Sequence, residues 1–168
     1  MGAKKIIRRW QGDIVNDPFI SQQHPVLQRI YSARSVQSQS DLMRDCEHLS
    51  AYHDLLHIDL AASLISDALC AQKKMIIVGD YDADGATSTA LAIKALRAFG
   101  ALHVDYVVPN RFEYGYGLTP PIVDLVMKKQ ADMIITVDNG ISSIAGVRAA
   151  KDKGLQVIVT DYHLAGDH

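Results

Sequence analysis

The chain has 168 residues, of which 48% are hydrophobic and 21% charged, values of a folded globular protein rather than a disordered one. Its formal net charge of −2 gives no global basic field, so any nucleic acid would have to be gripped by a local patch. No apolar stretch approaches the roughly 20 residues of a membrane span, and the opening Met1-Gly2-Ala3-Lys4-Lys5-Ile6-Ile7-Arg8-Arg9 is too charged for a signal peptide, which predicts a cytoplasmic protein with no membrane partner.

Residues 1–56 read as a helical lead-in with a basic amino-terminal arm. Lys4, Lys5, Arg8 and Arg9 beside Trp10 can clamp and stack on a single strand, or simply form a solvated arm. His24-Pro25 precedes Val26, Leu27, Ile30 and Tyr31 at helical spacing, and Ser40-Asp41-Leu42-Met43 reads as a short helix with a Ser cap. His53 and His57 lie four apart near His48 and Cys46, and on one helix they would share a face. No Glu stands between them in the zinc-protease arrangement, and Leu55, Leu56 and Leu60 favour ordinary packing. Cys46 and Cys70 lack partners at metal spacing and are expected as reduced, partly buried thiols.

Residues 57–168 read as an α/β domain. Leu60, Leu64, Ile65, Ala68 and Leu69 form the apolar stripe of a helix over Ile58 to Ala71. The apolar run Met75-Ile76-Ile77-Val78 is a buried strand, and Leu91 to Leu96 lie in the helix that follows. Between them stand Asp80, Asp82 and Asp84. A helix cap needs one side-chain acceptor, whereas three crowded carboxylates repel one another unless a hard cation binds there. Thr87 or Ser88 would cap that helix, and its amides would face an anion.

The pattern then repeats. Gly100 closes the helix, Val104 to Val108 form a second strand, Pro120 to Lys129 a helix, Met133 to Val137 a third strand, Ser143 to Lys153 a helix, and Val157 to Thr160 a fourth strand. Apolar strands alternating with helices specify a parallel sheet with helices on both faces. Three of the runs end in aspartate, at Asp80, Asp138 and Asp161, and the carboxyl edge of such a sheet is where ligands bind. The loop Pro109 to Leu118 reaches the same edge, where Arg111 can fork onto a phosphate and Tyr116 can stack on a base or merely pack.

These segments, Gly79-Asp80-Tyr81-Asp82-Ala83-Asp84-Gly85-Ala86-Thr87-Ser88-Thr89, Pro109-Asn110-Arg111-Phe112 through Gly115-Tyr116-Gly117-Leu118, Val137-Asp138-Asn139-Gly140-Ile141-Ser142 and Thr160-Asp161-Tyr162-His163, resemble the ordered motifs of the DHH phosphoesterase superfamily. The resemblance is closest to its branch of single-strand-specific DNA exonucleases and is dense over residues 55 to 166. It implies hydrolysis of nucleotides from 5′ ends of single-stranded DNA in repair and recombination, with two Mn²⁺ or Mg²⁺ ions. It makes Asp80, Asp82, Asp84 and Asp138 metal ligands, with Asp138 bridging. Asp138, Asp161 and His163 are then the catalytic residues, and Arg111, Tyr116 and His163 the contacts to DNA. The expected partner is single-stranded DNA, with other recombination or single-strand-binding proteins beside it, and the expected state is a monomer.

Two departures accompany the resemblance. The family's Asp-His-His motif stands here as Asp161-Tyr162-His163, placing a neutral phenol where a histidine ligand of the second metal is expected. The chain also stops soon after this motif, so the family's next metal-binding aspartate and second domain are expected to be missing and the chain alone to be weak or inactive. Three rival readings exist: a DHH oligonucleotide or cyclic-dinucleotide phosphodiesterase, a non-catalytic remnant, and a haloacid-dehalogenase-type phosphatase with Asp80 as nucleophile. The last needs a lysine and a later acidic pair that are not convincingly placed.

Overall fold

The computed structural model describes residues 12–165; Lys4, Lys5, Arg8, Arg9 and Trp10 lie outside the described residues. The chain divides into two compact units between Leu55 and Leu56. In the first, Asp17 caps α1 (Pro18–Ser21), its Oδ1 accepting hydrogen bonds from the amides of Phe19 and Ile20. Helix α2 (Pro25–Ala33) begins with proline, whose missing N–H costs nothing in a first turn. The short helix expected from Ser40 is a 3₁₀ turn over Gln39–Leu42 capped instead by Ser38, because the Asp41 carboxylate accepts from the amides of Gln37 and Ser38 and draws the start back. Further 3₁₀ turns cover Cys46–His48 and Tyr52–Asp54. His53 and His57 therefore do not share a helical face: His57 has φ 59° and forms the left-handed entry to the next helix. Both cysteines are free, and both are exposed rather than partly buried.

The second unit runs α3 (Ile58–Cys70), β1 (Met75–Val78), α4 (Ala83–Ala98), β2 (Val104–Val107), α5 (Arg111–Tyr114), α6 (Pro120–Lys128), β3 (Met133–Val137), α7 (Ile144–Asp152) and β4 (Gln156–Thr160). The four strands form one parallel sheet in the order β2-β1-β3-β4. Side chains alternate across the pleat. Met75, Ile77, Met133 and Ile135 pack on one face with Ala68, Leu96 and the partly buried residues of α3 and α4. Ile76, Val78 and Ile134 pack on the other with Ile122, Val126 and Ala150 of α6 and α7. Every residue of β1 and β3 is buried, which is why both strands are unbroken apolar runs. One residue of the expected α3 stripe differs: Leu60 is 60% exposed, and Ala61 takes its place against the core.

The chain leaves β1 toward β2 on one side and later returns to lay β3 on the other. That reversal between β1 and β3 opens a crevice at their carboxyl ends, the usual ligand position of such sheets.

Candidate metal centre

The residues after β1 enter α4 earlier than the sequence indicates. Asp82 caps the helix, its Oδ1 accepting from the Gly85 amide at 2.9 Å. Thr87 and Ser88, the expected caps, lie inside the helix and donate to the carbonyls of Ala83 and Asp84. Gly85 permits this entry: a β-carbon there would stand 2.3 Å from the Asp80 carbonyl oxygen. The close approach holds Asp80, 8% exposed, under the first turn of the helix.

Asp138 follows β3 with φ 61° and is 6% exposed. Neither of its buried carboxylate oxygens has a hydrogen-bond partner at full bonding geometry among the described residues, although the Tyr162 hydroxyl lies close to it. Asp80, Asp82 and Asp138 can each aim a carboxylate oxygen at one point, those atoms lying within 4.8 Å of one another. Asp138, Asp161 and His163 form a second such group, so Asp138 belongs to both. Burial, and secondarily the charge of Asp82, push the Asp138 carboxyl above its ordinary pKa, against an opposing effect of the nearby Tyr162 hydroxyl. Asp82 moves the other way, held below the ordinary range chiefly by the Gly85 amide. A buried carboxylate poor in donors, beside two more carboxylates, is a ligand set for a hard divalent cation.

The two groups are not equivalent. Asp161 Oδ2 accepts from the Ile141 amide at 2.9 Å, and Oδ1 accepts from the His163 amide and stands 2.6 Å from His163 Nδ1. Burial alone would raise the Asp161 carboxyl, but these bonds together outweigh it and lower the pKa, while the same contact with Asp161 raises that of His163. In the second group Asp161 is thus engaged in holding a loop and an imidazole. In the first, Asp80 accepts from the Tyr81 amide and the Arg111 guanidinium and Asp82 uses one oxygen on the Gly85 amide, so the shared Asp138 is the member most open to a cation.

Asp84 stands apart from both groups. Its Oδ2 accepts from the Tyr162 hydroxyl at 3.2 Å. Asp138, partial desolvation and Asp84 push the Tyr162 phenol up to about 12, so it is a neutral donor at physiological pH. Its ring stacks on that of His163 at 4.6 Å.

Arg111 opens the short helix α5, a helix absent from the expected loop, and its Nη2 donates to Asp80 Oδ2 at 2.7 Å. The guanidinium lies 4.2 Å above the Tyr81 ring and 5.1 Å from that of Tyr116. Tyr116 donates to the Asp138 carbonyl at 3.2 Å, with its oxygen 3.3 Å from His163 Nδ1. Asp80, Asp82, Arg111, Tyr116, Asp161 and His163 line a cleft of about 520 Å³. Tyr81 was not singled out in the sequence, although its place between two site aspartates is a signal; Asn139, also unassigned, is 2% exposed. His48, His53 and His57 enter no metal-spaced group among the described residues.

Residues 74–168 match the model of the DHH family, N-terminal domain. The chain is 46% identical over 161 residues to the single-stranded-DNA-specific exonuclease RecJ of Haemophilus influenzae, covering 96% of this chain and 28% of that protein. The RecJ of Escherichia coli is 48% identical over 143 residues, 85% of this chain and 25% of that protein. The chain thus spans about a quarter of the length of these relatives. A crystal structure of exonuclease RecJ bound to manganese is similar with a TM-score of 0.59 and 40% identity, covering 65% of this chain and 28% of that one. The Thermus thermophilus RecJ structure in complex with Mn²⁺ has a TM-score of 0.60 and 33% identity over 82% of this chain and 19% of that one.

Proposed function

The chain belongs to the DHH family, and on that premise we propose that residues 57–168 form the metal-binding part of a single-stranded-DNA-specific 5′→3′ exonuclease acting in DNA repair and recombination in the cytoplasm. The observation that carries the reading is Asp138, whose two buried oxygens lack partners at bonding geometry among the described residues beside Asp80 and Asp82. These three residues would hold one Mn²⁺ or Mg²⁺, and Asp161, with the shared Asp138, would offer carboxylates to another. When bound, such ions neutralise charge building on a phosphodiester and make water nucleophilic at neutral pH. Tyr162 does not fit as a ligand in its neutral form, and Asp84, bonded to it, enters the set only if that bond breaks.

The protein's own groups do the rest. Arg111 offers the planar fork that matches a phosphate, and Tyr116 and Tyr81 present ring faces on which bases can stack. His163, its Nδ1 held by Asp161, has Nε2 to deliver a proton to a leaving oxygen. The substrate is single-stranded DNA handled by a monomer, with other recombination or single-strand-binding proteins as partners.

Two measurements test the reading. Calorimetry should find Mn²⁺ bound by the chain and binding lost in Asp138→Ala. Grafted in place of the matching segment of the Haemophilus influenzae exonuclease, the chain should support Mn²⁺-dependent nucleotide release from 5′-labelled single strands, and the same graft carrying Asp138→Ala should not. Absence of Mn²⁺ binding by the parent, or equal release by both grafts, would overturn it.

A further inference from the structure

Asn139 follows Asp138 and is as deeply buried as the hydrophobic core. Its Nδ2 donates twice, to the Val78 carbonyl at 3.0 Å and to the Val137 carbonyl at 2.9 Å. Val78 ends β1 and Val137 ends β3, the two strands that flank the crevice. Because both facing atoms are carbonyl oxygens, only the NH₂ end of the amide can point at them. The remaining atom, Oδ1, is buried without a partner among the described residues, so the side chain leaves an acceptor unsatisfied there in order to make the two bonds, an arrangement that does not favour stability by itself.

We propose that Asn139 is a positioning residue for the metal centre: one amide staples the ends of β1 and β3 and thereby sets the separation of Asp80 and Asp138. Asp80 lies two residues beyond the first stapled carbonyl and Asp138 one beyond the second, so neither carboxylate can shift far while both bonds hold. The bond to Val137 also spans Asp138, whose positive φ a non-glycine residue adopts only when its surroundings require it. The Asn139 side chain touches no substrate; it acts through the two aspartates and rests on the metal reading given above.

The test separates positioning from bulk stability. Asn139→Leu keeps roughly the same volume and removes both donors; Asn139→Ala removes the donors and the volume together. Val126→Ala is the control, since Val126 is fully buried in the cluster against α6 and α7 and lies outside the metal centre. Calorimetric Mn²⁺ affinity of the whole chain, melting temperature and the electron paramagnetic resonance spectrum of bound Mn²⁺ are read for each. The expected result is at least a tenfold loss of Mn²⁺ affinity and an altered spectrum in the Asn139 variants, with a fall in melting temperature no larger than that of Val126→Ala, which keeps its affinity within twofold. A folded Asn139 variant that binds Mn²⁺ within twofold of the parent overturns the proposal. So does the failure of both variants to fold, which would make the amide a requirement of the fold itself. A parent that binds no Mn²⁺ instead removes the metal reading before any variant is compared.

Discussion

At Tyr162 one side chain decides how freely Asp84 can offer its carboxylate. The phenol donates to Asp84 and lies beside Asp138, and at a pKa near 12 it stays a donor that occupies an Asp84 oxygen a cation would use. Tyr162→His would return an imidazole, neutral above a pKa of about 6.5, and release Asp84. Ligating and supporting groups at metal sites are typically worth 10–100-fold in affinity, so the variant should bind Mn²⁺ about tenfold more tightly in a calorimetric titration at pH 7.5. Unchanged or weaker binding would mean that Asp84 and residue 162 lie outside the centre. The substitution itself was visible in Asp161-Tyr162-His163. Its partner was not, because the hydrogen bond joins residues separated by 78 positions. The same limit hid the ion pair of Arg111 with Asp80, 31 positions apart, and the reach of Asn139 to Val78, 61 apart.

Elements were legible where one physical requirement dominated their composition. Buried on both faces, β1 and β3 need unbroken apolar runs, and their bounds follow from Met75–Val78 and Met133–Val137. Helix starts were less legible, since Asp, Ser and Thr all cap and only packing selects among them. At α4 the choice of Asp82 over Thr87 depends on Gly85 passing close to Asp80. Helix α7 offers a direct contest between propensity and packing. Gly146→Ala gains roughly 1 kcal/mol of helix propensity, but its new β-carbon would stand 1.9 Å from the Leu118 carbonyl oxygen. That contact is with backbone and cannot be relieved by a rotamer change, and overpacking of this kind costs typically 1–3 kcal/mol. A 1.9 Å approach to backbone belongs at the upper, ~3 kcal/mol end of that range, so urea unfolding should show a net loss of about 2 kcal/mol. A variant as stable as the parent would show that α7 can slide on the loop before α6.

On the scale of the whole molecule, the described metal-spaced residues all belong to the second unit, and they come from three of its four strand ends. The strand order that brings β1 and β3 together was not in the sequence pattern, since alternating strands and helices fit several orders; the convergence of Asp80, Asp138 and Asp161 followed only from the rule that parallel strands share a carboxyl edge. The covering of β1 and β3 on both faces has a consequence in time as well as in space. Amides buried between two packed layers exchange with solvent only when the fold opens, and for a domain at the lower, ~5 kcal/mol end of ordinary stability that open fraction is on the order of one part in several thousand. Deuterium uptake should accordingly be slowest at Ile76, Ile77, Ile134 and Ile135, and fast at the exposed segments bearing Arg111, Tyr162 and His163; rapid uptake along β1 or β3 would contradict this. The cleft would then have two clocks, a slow wall that keeps Asp80 and Asp138 at fixed spacing and a quick wall, bearing Arg111 and His163, that can rearrange around whatever enters.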